Sequence, residues 1–357
     1  MQRLTVIYCF ALAVSASALA PATPRSNESA AERSSDDTIT EYQRKLQQYL
    51  EAYEKYELEA RRYWNLIAEK RQFRRSKWRS REAISLDDYV LTQPPRYSGP
   101  AKPPDPFGRD NQPPSIEKYV PVKADFLRNA ADFFKFAPSR PETEIQFKRA
   151  YSRRAFEAGL TKDQVVRIYA FEVGGDGKYD TQAGLEIPKA GAKAISTALG
   201  YNQLLVTNSI ELLAEKGDRF VKTLKQEGGA GTTSANEPLL TKIRVLQQMI
   251  EFCRTVPDWR KHDQLADTPK GVGVHAILLD IHIGPLLQVQ KLLDSVLFAR
   301  KNGVTRELTA AELEMMNLTG DSNGLDIVLM PNDVREQVPT ANFFQAASYD
   351  RNPEIPV

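Results

Sequence analysis

Glu172 is the side chain whose type and placement best suit acid–base chemistry in this sequence. Thr161-Lys-Asp-Gln164 fits a capping box, in which the Thr oxygen takes an orphan amide proton and Gln reaches back, so a helix starts at Lys162. Gly174-Gly175 ends it, because two glycines do not continue a helix cheaply. Val165, Ile168, Tyr169 and Glu172 recur at helical steps, which puts Glu172 in line with the apolar face and in the last turn. A carboxylate there meets desolvation by its neighbours and the partial negative charge of the helix C-terminus, and both favour the protonated acid. A carboxylic acid kept neutral near pH 7 can protonate the leaving oxygen of a glycosidic bond. Asp176 and Asp180, in the loop that follows, are the nearest candidates for a second carboxylate, and their Asp-Gly spacing equally suits a tight turn.

The segment Tyr169-Ala-Phe-Glu172-Val-Gly-Gly-Asp-Gly-Lys-Tyr179-Asp180 is followed by Ala194-Ile-Ser-Thr-Ala-Leu-Gly200-Tyr-Asn-Gln203-Leu-Leu. Together they resemble the lysozyme-like fold of soluble lytic transglycosylases and goose-type lysozymes, in which a helix-terminal Glu precedes a Gly-x-x-Gln motif. The resemblance covers about Glu144 to Leu224. It implies Glu172 as general acid/base, and Gly200, Tyr201, Gln203 and Ser196 as substrate-binding residues, with Tyr179 and Asp180 from the loop beside them. Glycine admits close approach of glycan to backbone, and a glutamine opening the next helix can donate and accept toward a sugar. Where that family carries Ser directly before the Gly, this chain has Leu199, with Ser196 further back. The implied activity is peptidoglycan cleavage between muramic acid and glucosamine units. One acid suffices there, since the sugar's own 6-hydroxyl attacks and an anhydro product leaves; lysozyme-type hydrolysis is the second choice. The competing reading is a non-catalytic periplasmic module that binds glycan or another protein.

No cofactor is expected. His262, His275, Asp280 and His282 show no recognised ligand spacing, so no metal site is expected either. P-loop, Rossmann and Gly-x-Ser-x-Gly patterns are absent. With 48 Lys+Arg against 46 Asp+Glu, the net charge of +2 on 357 residues excludes a polycation, and no nucleic-acid partner is indicated.

The elements that must position these residues lie within a chain of uneven composition. Arg3, the apolar stretch Leu4–Val14 and Ala16-Ser17-Ala18 read as a cleaved signal peptide over 1–18, with Ala18-Leu19-Ala20 as a second possible site. The apolar stretch is well short of the roughly 20 residues that span a bilayer. Cleavage removes Cys9 and leaves Cys253, in an apolar pattern, as a buried small hydrophobe. Export without an intrachain disulfide points to the periplasm. A Ser-, Ala- and Glu-rich leader over 19–38 is expected to be disordered. Tyr42, Leu46, Tyr49, Tyr53, Tyr56, Ala60, Tyr63 and Ile67 then form a heptad seam, which predicts one long amphipathic helix over 39–83. It is suited to a coiled-coil or protein partner, with a solvated basic run, Lys70 to Arg81, at its end. Paired prolines make 84–121 an extended linker. From 122 to 357 the pattern is mainly α, with at most a small β element. Helices are predicted over Glu144–Leu160, Lys162–Val173, Asn202–Leu213, Pro238–Cys253, His275–Arg300 and Ala310–Leu318, and short strands around Gly184–Ile187 or Gly324–Leu329. The C-terminal Asn342-Phe343-Phe344 and Tyr349 suit core anchoring.

Overall fold

A computed structural model describes residues 28–106, 108, 119–174, 177–186, 190–228, 237–346 and 349, with side chains from residue 38 onward. The signal peptide, Cys9 and Asp176 lie outside the described residues. Mainly helical architecture is what these residues adopt, with twelve α-helices and, for β structure, only the isolated bridges Gln182–Leu199 and Leu199–Leu204. No single described helix is long and apolar enough to cross a membrane.

Helix α1 runs over Glu28–Ser80. It starts earlier than expected, within the Ser-rich leader, because Ala30, Ala31, Glu32 and Arg33 are strong helix formers and propagation costs little once the seam has nucleated the helix. All eight seam positions are at least half-buried. The helix stops at Arg81, which takes a left-handed φ of 58°, while the Glu82 N–H bonds back to the Lys77 carbonyl at 2.9 Å.

The chain divides into two compact units, 1–60 with 95–114, and 61–94 with 115–357. This division differs from the composition boundaries at 83 and 121. In the first unit the Tyr97 ring lies edge-on to Tyr49, Tyr53 and Tyr56, with centroids 6.0, 5.5 and 5.6 Å apart. In the second, Tyr63 and Ile67 share an apolar cluster with Tyr89, Val90, Phe343 and Phe344. Within each unit, side chains from the described part of the Pro-rich stretch pack on α1, Tyr97 in the first and Tyr89 with Val90 in the second. Proline removes hydrogen-bond donors but leaves the interleaved Tyr and Val side chains free to pack. The basic run is also not uniformly solvated. Arg74 continues the seam, is 1% exposed, and bonds Asp326 at 2.8 Å and the Asp88 carbonyl at 3.0 Å. Asn342 closes this cluster by exchanging two bonds with the Val90 backbone, 2.9 and 2.8 Å, so the C-terminal aromatics anchor the core as expected.

The larger core is built from α2 (Lys123–Phe134), α3 (Glu144–Glu157), α4 (Lys162–Glu172), α5 (Val206–Glu227), α6 (Glu237–Cys253), α7 (His262–Ala266), α8 (Pro269–Val274) and α9 (Gly284–Lys301). It continues through α10 (Ala310–Thr319) and α11 (Asp321–Leu329), and α12 (Asn332–Arg335) follows. Helix α2 packs on α8, α5 on α6, α3 on α9, and α10 on both α4 and α11. Three expectations are corrected. The predicted helix His275–Arg300 is a 3-10 turn over His275–Leu279, a 95° bend, and α9. Asp280 makes the bend: fully buried, it pairs with Lys242 at 2.8 Å and accepts the backbone N–H groups of Ser139, His282 and Ile283. The segment predicted as a strand at Gly324–Leu329 lies in α11, where Gly324 closes on Met316 so tightly that a Cβ would come within 2.4 Å. Residues 202–205 precede α5 rather than opening it. Cys253 is buried, and desolvation pushes its thiol up to about 12.

Candidate active site

The capping box at the start of α4 is present: Gln164 N–H donates to Thr161 Oγ1 at 3.3 Å, and Thr161 N–H donates to Gln164 Oε1 at 2.9 Å. Gln164 also donates through Nε2 to the Leu308 carbonyl at 2.7 Å, which ties the start of α4 to the segment leading into α10. Val165 and Ile168 are buried, so the face that carries Glu172 is fixed against the core. Glu172 ends the helix and is half-buried.

Its carboxyl meets Glu314 and Asn317, which stand three residues apart on one face of α10. Asn317 Nδ2 donates to Glu172 Oε1. Glu314 is 8% exposed, and neither of its oxygens has a donor of its own among the described residues. Two buried carboxyls set against each other disfavour a second negative charge, so each favours its protonated form. Burial raises Glu172 above the usual carboxylate range, while hydrogen bonds from Glu314 and Asn317 pull it partly back. Burial also raises Glu314, and the adjacent charge of Glu172 pushes it further. Both carboxyls are thus raised, and Asn317 is the donor that meets the Glu172 carboxylate when it ionises.

The Gly200-Tyr-Asn-Gln203 motif forms the loop of a minimal hairpin. Leu199 and Leu204 exchange backbone bonds of 3.0 and 3.1 Å across it. Gly200 at φ 85° and Gln203 at φ 43° supply the two left-handed positions that close the turn. Gly200 is buried, and a Cβ there would lie 1.9 Å from Gln288 Nε2; its missing side chain admits Gln288. Gln203 spends its amide on the carbonyls of Thr181 and Gly200, at 3.1 and 2.8 Å. Tyr201 is fully buried among Phe147, Tyr151 and Tyr169, and its hydroxyl donates to Glu144. The hairpin reaches Glu172 through Tyr169, three residues before it on α4, whose ring centroid is 4.9 Å from that of Tyr201.

Tyr179 is buried and stacks on Phe147, with centroids 4.4 Å apart, while its hydroxyl accepts from Arg140 at 3.0 Å. Asp180 pairs with Arg140 at 2.8 Å and Lys123 at 3.0 Å. Ser196 is half-buried, and its hydroxyl accepts from the Ala198 N–H at 3.2 Å. The structure thus sets the Tyr201 cluster against Tyr169, on the helix that ends at Glu172. It engages Gly200, Gln203, Tyr179 and Asp180 in internal bonds that hold the loop around it. Five well-formed cavities of the described residues are lined by other side chains than Glu172.

Glu314 and Asn317 are not among the site residues expected from the sequence, where Asn317 reads only as the start of the sequon Asn317-Leu318-Thr319. Their spacing of three on a helix with an apolar period is the signal that marks them, since it sets two polar groups on the buried stripe. His275 is structural: it is fully buried, bonded to Ser209 Oγ at 2.8 Å and the Thr197 carbonyl at 2.9 Å, and desolvation lowers it to about 4. No group of three or more His, Cys, Asp or Glu able to hold a metal occurs among the described residues. No known family, curated protein or solved structure matches the chain.

Proposed function

We propose that this chain is an exported peptidoglycan-cleaving enzyme with a lysozyme-like catalytic domain and the chemistry of a lytic transglycosylase. The observation that carries the reading is the arrangement at the end of α4, where burial favours the protonated form of Glu172 beside Glu314 and Asn317 donates to its carboxyl. Glu172 gives its proton to the glycosidic oxygen between muramic acid and glucosamine units as the C1–O bond breaks. The 6-hydroxyl of the muramoyl unit then closes on C1, and its proton returns to Glu172. Both halves use one acid. Two-carboxylate glycosidases need a second carboxylate that can ionise or take a proton during the reaction, whereas Glu314 is buried and raised to about 10 and Asp180 is tied to Arg140 and Lys123. Single-acid chemistry is therefore favoured over hydrolysis. In this reading Tyr201, Gly200 and Gln203 position Glu172 through Tyr169 and the hairpin, and Ser196 is the hairpin-side hydroxyl nearest to being free for glycan.

The test is digestion of purified murein sacculi by the mature protein, with mass analysis of the soluble products. Anhydro-ended muropeptides that vanish in Glu172→Gln, while the variant keeps its helical circular dichroism and melting temperature, support the proposal. Products with reducing ends replace it by hydrolysis. Sacculus binding with no release of muropeptides supports a non-catalytic module instead.

A further inference from the structure

A cavity of about 390 Å³ opens beside the last turns of α1, floored by α11 and the segment that follows it. Its volume falls within the roughly 300–1,000 Å³ of small-molecule sites. Two chemistries line it. Leu325, Met330, Val334, Phe298 and Ile84 make an apolar floor, and Trp78 and Leu329, 40% and 44% exposed, stand on it as well. Four guanidinium groups, Arg71, Arg74, Arg75 and Arg79, line the same space.

Among the described residues, only Arg74 of the four is neutralised by a carboxylate, Asp326 at 2.8 Å. Arg71 donates to the backbone carbonyls of Asn342 and Phe344, and Arg75 to Asn323 Oδ1 at 3.1 Å, which are neutral acceptors. Arg79 is exposed and has no ion pair among the described residues. Glu82 is the one other carboxylate of the lining. Burial, together with the charges of Arg74 and Arg75, depresses Arg71 to about 10, a sign of positive charge crowded against an apolar wall. Guanidinium groups bind carboxylate and phosphate oxygens in pairs, and an apolar floor beneath them rewards burial of a hydrocarbon.

The geometry points to a binding site for a single-chain anionic amphiphile, its acidic head held by Arg75 and Arg79 and its hydrocarbon on Leu325, Met330 and Val334. The site is independent of the chemistry assigned to Glu172. A fatty acid and a monoalkyl phosphate share the required features, and the experiment separates them.

The mature full chain is titrated with decanoate, decyl phosphate and the neutral decyl maltoside, each below its critical micelle concentration, by calorimetry and by tryptophan fluorescence. Saturable one-to-one binding of an anionic probe is expected, at least about tenfold tighter than decyl maltoside, with a fluorescence change that disappears in Trp78→Phe. Tighter binding of decanoate assigns the carboxylate source, and tighter binding of decyl phosphate assigns the phosphate. The double substitution Arg75→Ala/Arg79→Ala, at exposed positions, is expected to weaken anion binding by about tenfold or more, the scale of lost charge-assisted contacts. Leu329→Asp provides a second variant, placing a repelling charge at the floor with the arginines intact, and is expected to weaken it likewise. Equal affinity for the neutral probe, unchanged affinity in both variants, or no saturable binding overturns the proposal.

Discussion

An acid that must release a proton and recover it works best when its charged form is neither abandoned nor trapped, and Glu172 meets that condition through two neighbours of unequal kind. Glu314, raised by burial and by the Glu172 charge, resists ionising beside it; Asn317 donates without any titration of its own. Under the proposed chemistry, the alkaline limb of activity belongs to loss of the protonated Glu172. Removing a donor to its carboxylate disfavours the ionised form, so Asn317→Ala is expected to move that limb of kcat/KM upward, by about one pH unit, the worth of one charge-assisted hydrogen bond. Carboxyl ¹³C NMR of Glu172 reads the same shift without substrate. A limb that stays in place, or moves down, removes Asn317 from the site. Glu314→Gln keeps a polar group that cannot ionise, whereas Glu314→Leu keeps neither polarity nor titration, and the ordering of their kcat values separates hydrogen bonding from the capacity to titrate.

At the level of elements, the hairpin 199–204 carries the largest local constraint near the site. Gly200→Ala places a Cβ 1.9 Å from Gln288 Nε2 at a φ of 85°. Both the overlap and the left-handed backbone penalise it, so denaturant unfolding is expected to show a loss of about 2–4 kcal/mol. A loss under about 0.5 kcal/mol, the range of ordinary surface substitutions, would contradict the tight packing. The same hairpin marks where sequence reasoning stops. The capping box at Thr161 and the seam of α1 were legible because each is encoded within a few residues of itself. The break between His275 and α9 was not, because apolar residues run through it and the cause, Asp280 paired with Lys242 and Ser139, comes from elements far away in the chain. Gly324 reads as a strand or turn residue, and only the approach of α10 explains its place in a helix. Gln203 reads as the opening of a helix, yet its left-handed φ and its bonds to Thr181 and Gly200 come from a turn closed by Gly200. For the site, one half, Glu172 with its helix, lies in a continuous stretch of sequence; the other, Glu314 with Asn317, arrives from α10 by packing.

Across the unit formed by 61–94 and 115–357, opposed sets of buried groups give stability a maximum in mildly acidic solution. His275 falls from 6.5 to about 4 on burial, so the unfolded chain binds a proton that the folded one refuses, and its stabilisation is full above 6.5 and is lost as pH falls toward 4. Asp88 and Glu312 act in the same direction. Burial pushes each up, but Lys77 and Arg306 hold them below the usual carboxylate range, and their stabilisation is lost as they are protonated at lower pH. The Glu172–Glu314 pair has the opposite sign. Both carboxyls are raised, so the folded chain keeps protons that the unfolded chain releases above its ordinary value of 4.5, and stability falls as pH rises through the raised values, toward about 10 for Glu314. Each unmatched proton contributes a slope of about 1.4 kcal/mol per pH unit. Thermal unfolding from pH 4 to 9 is therefore expected to give a melting temperature that peaks between the two regimes. Glu314→Gln removes the titrating partner and flattens the alkaline side, leaving the acid side as it was. An alkaline decline that survives Glu314→Gln unchanged would show that the pair does not hold its proton, and the single-acid chemistry would lose its electrostatic basis with it.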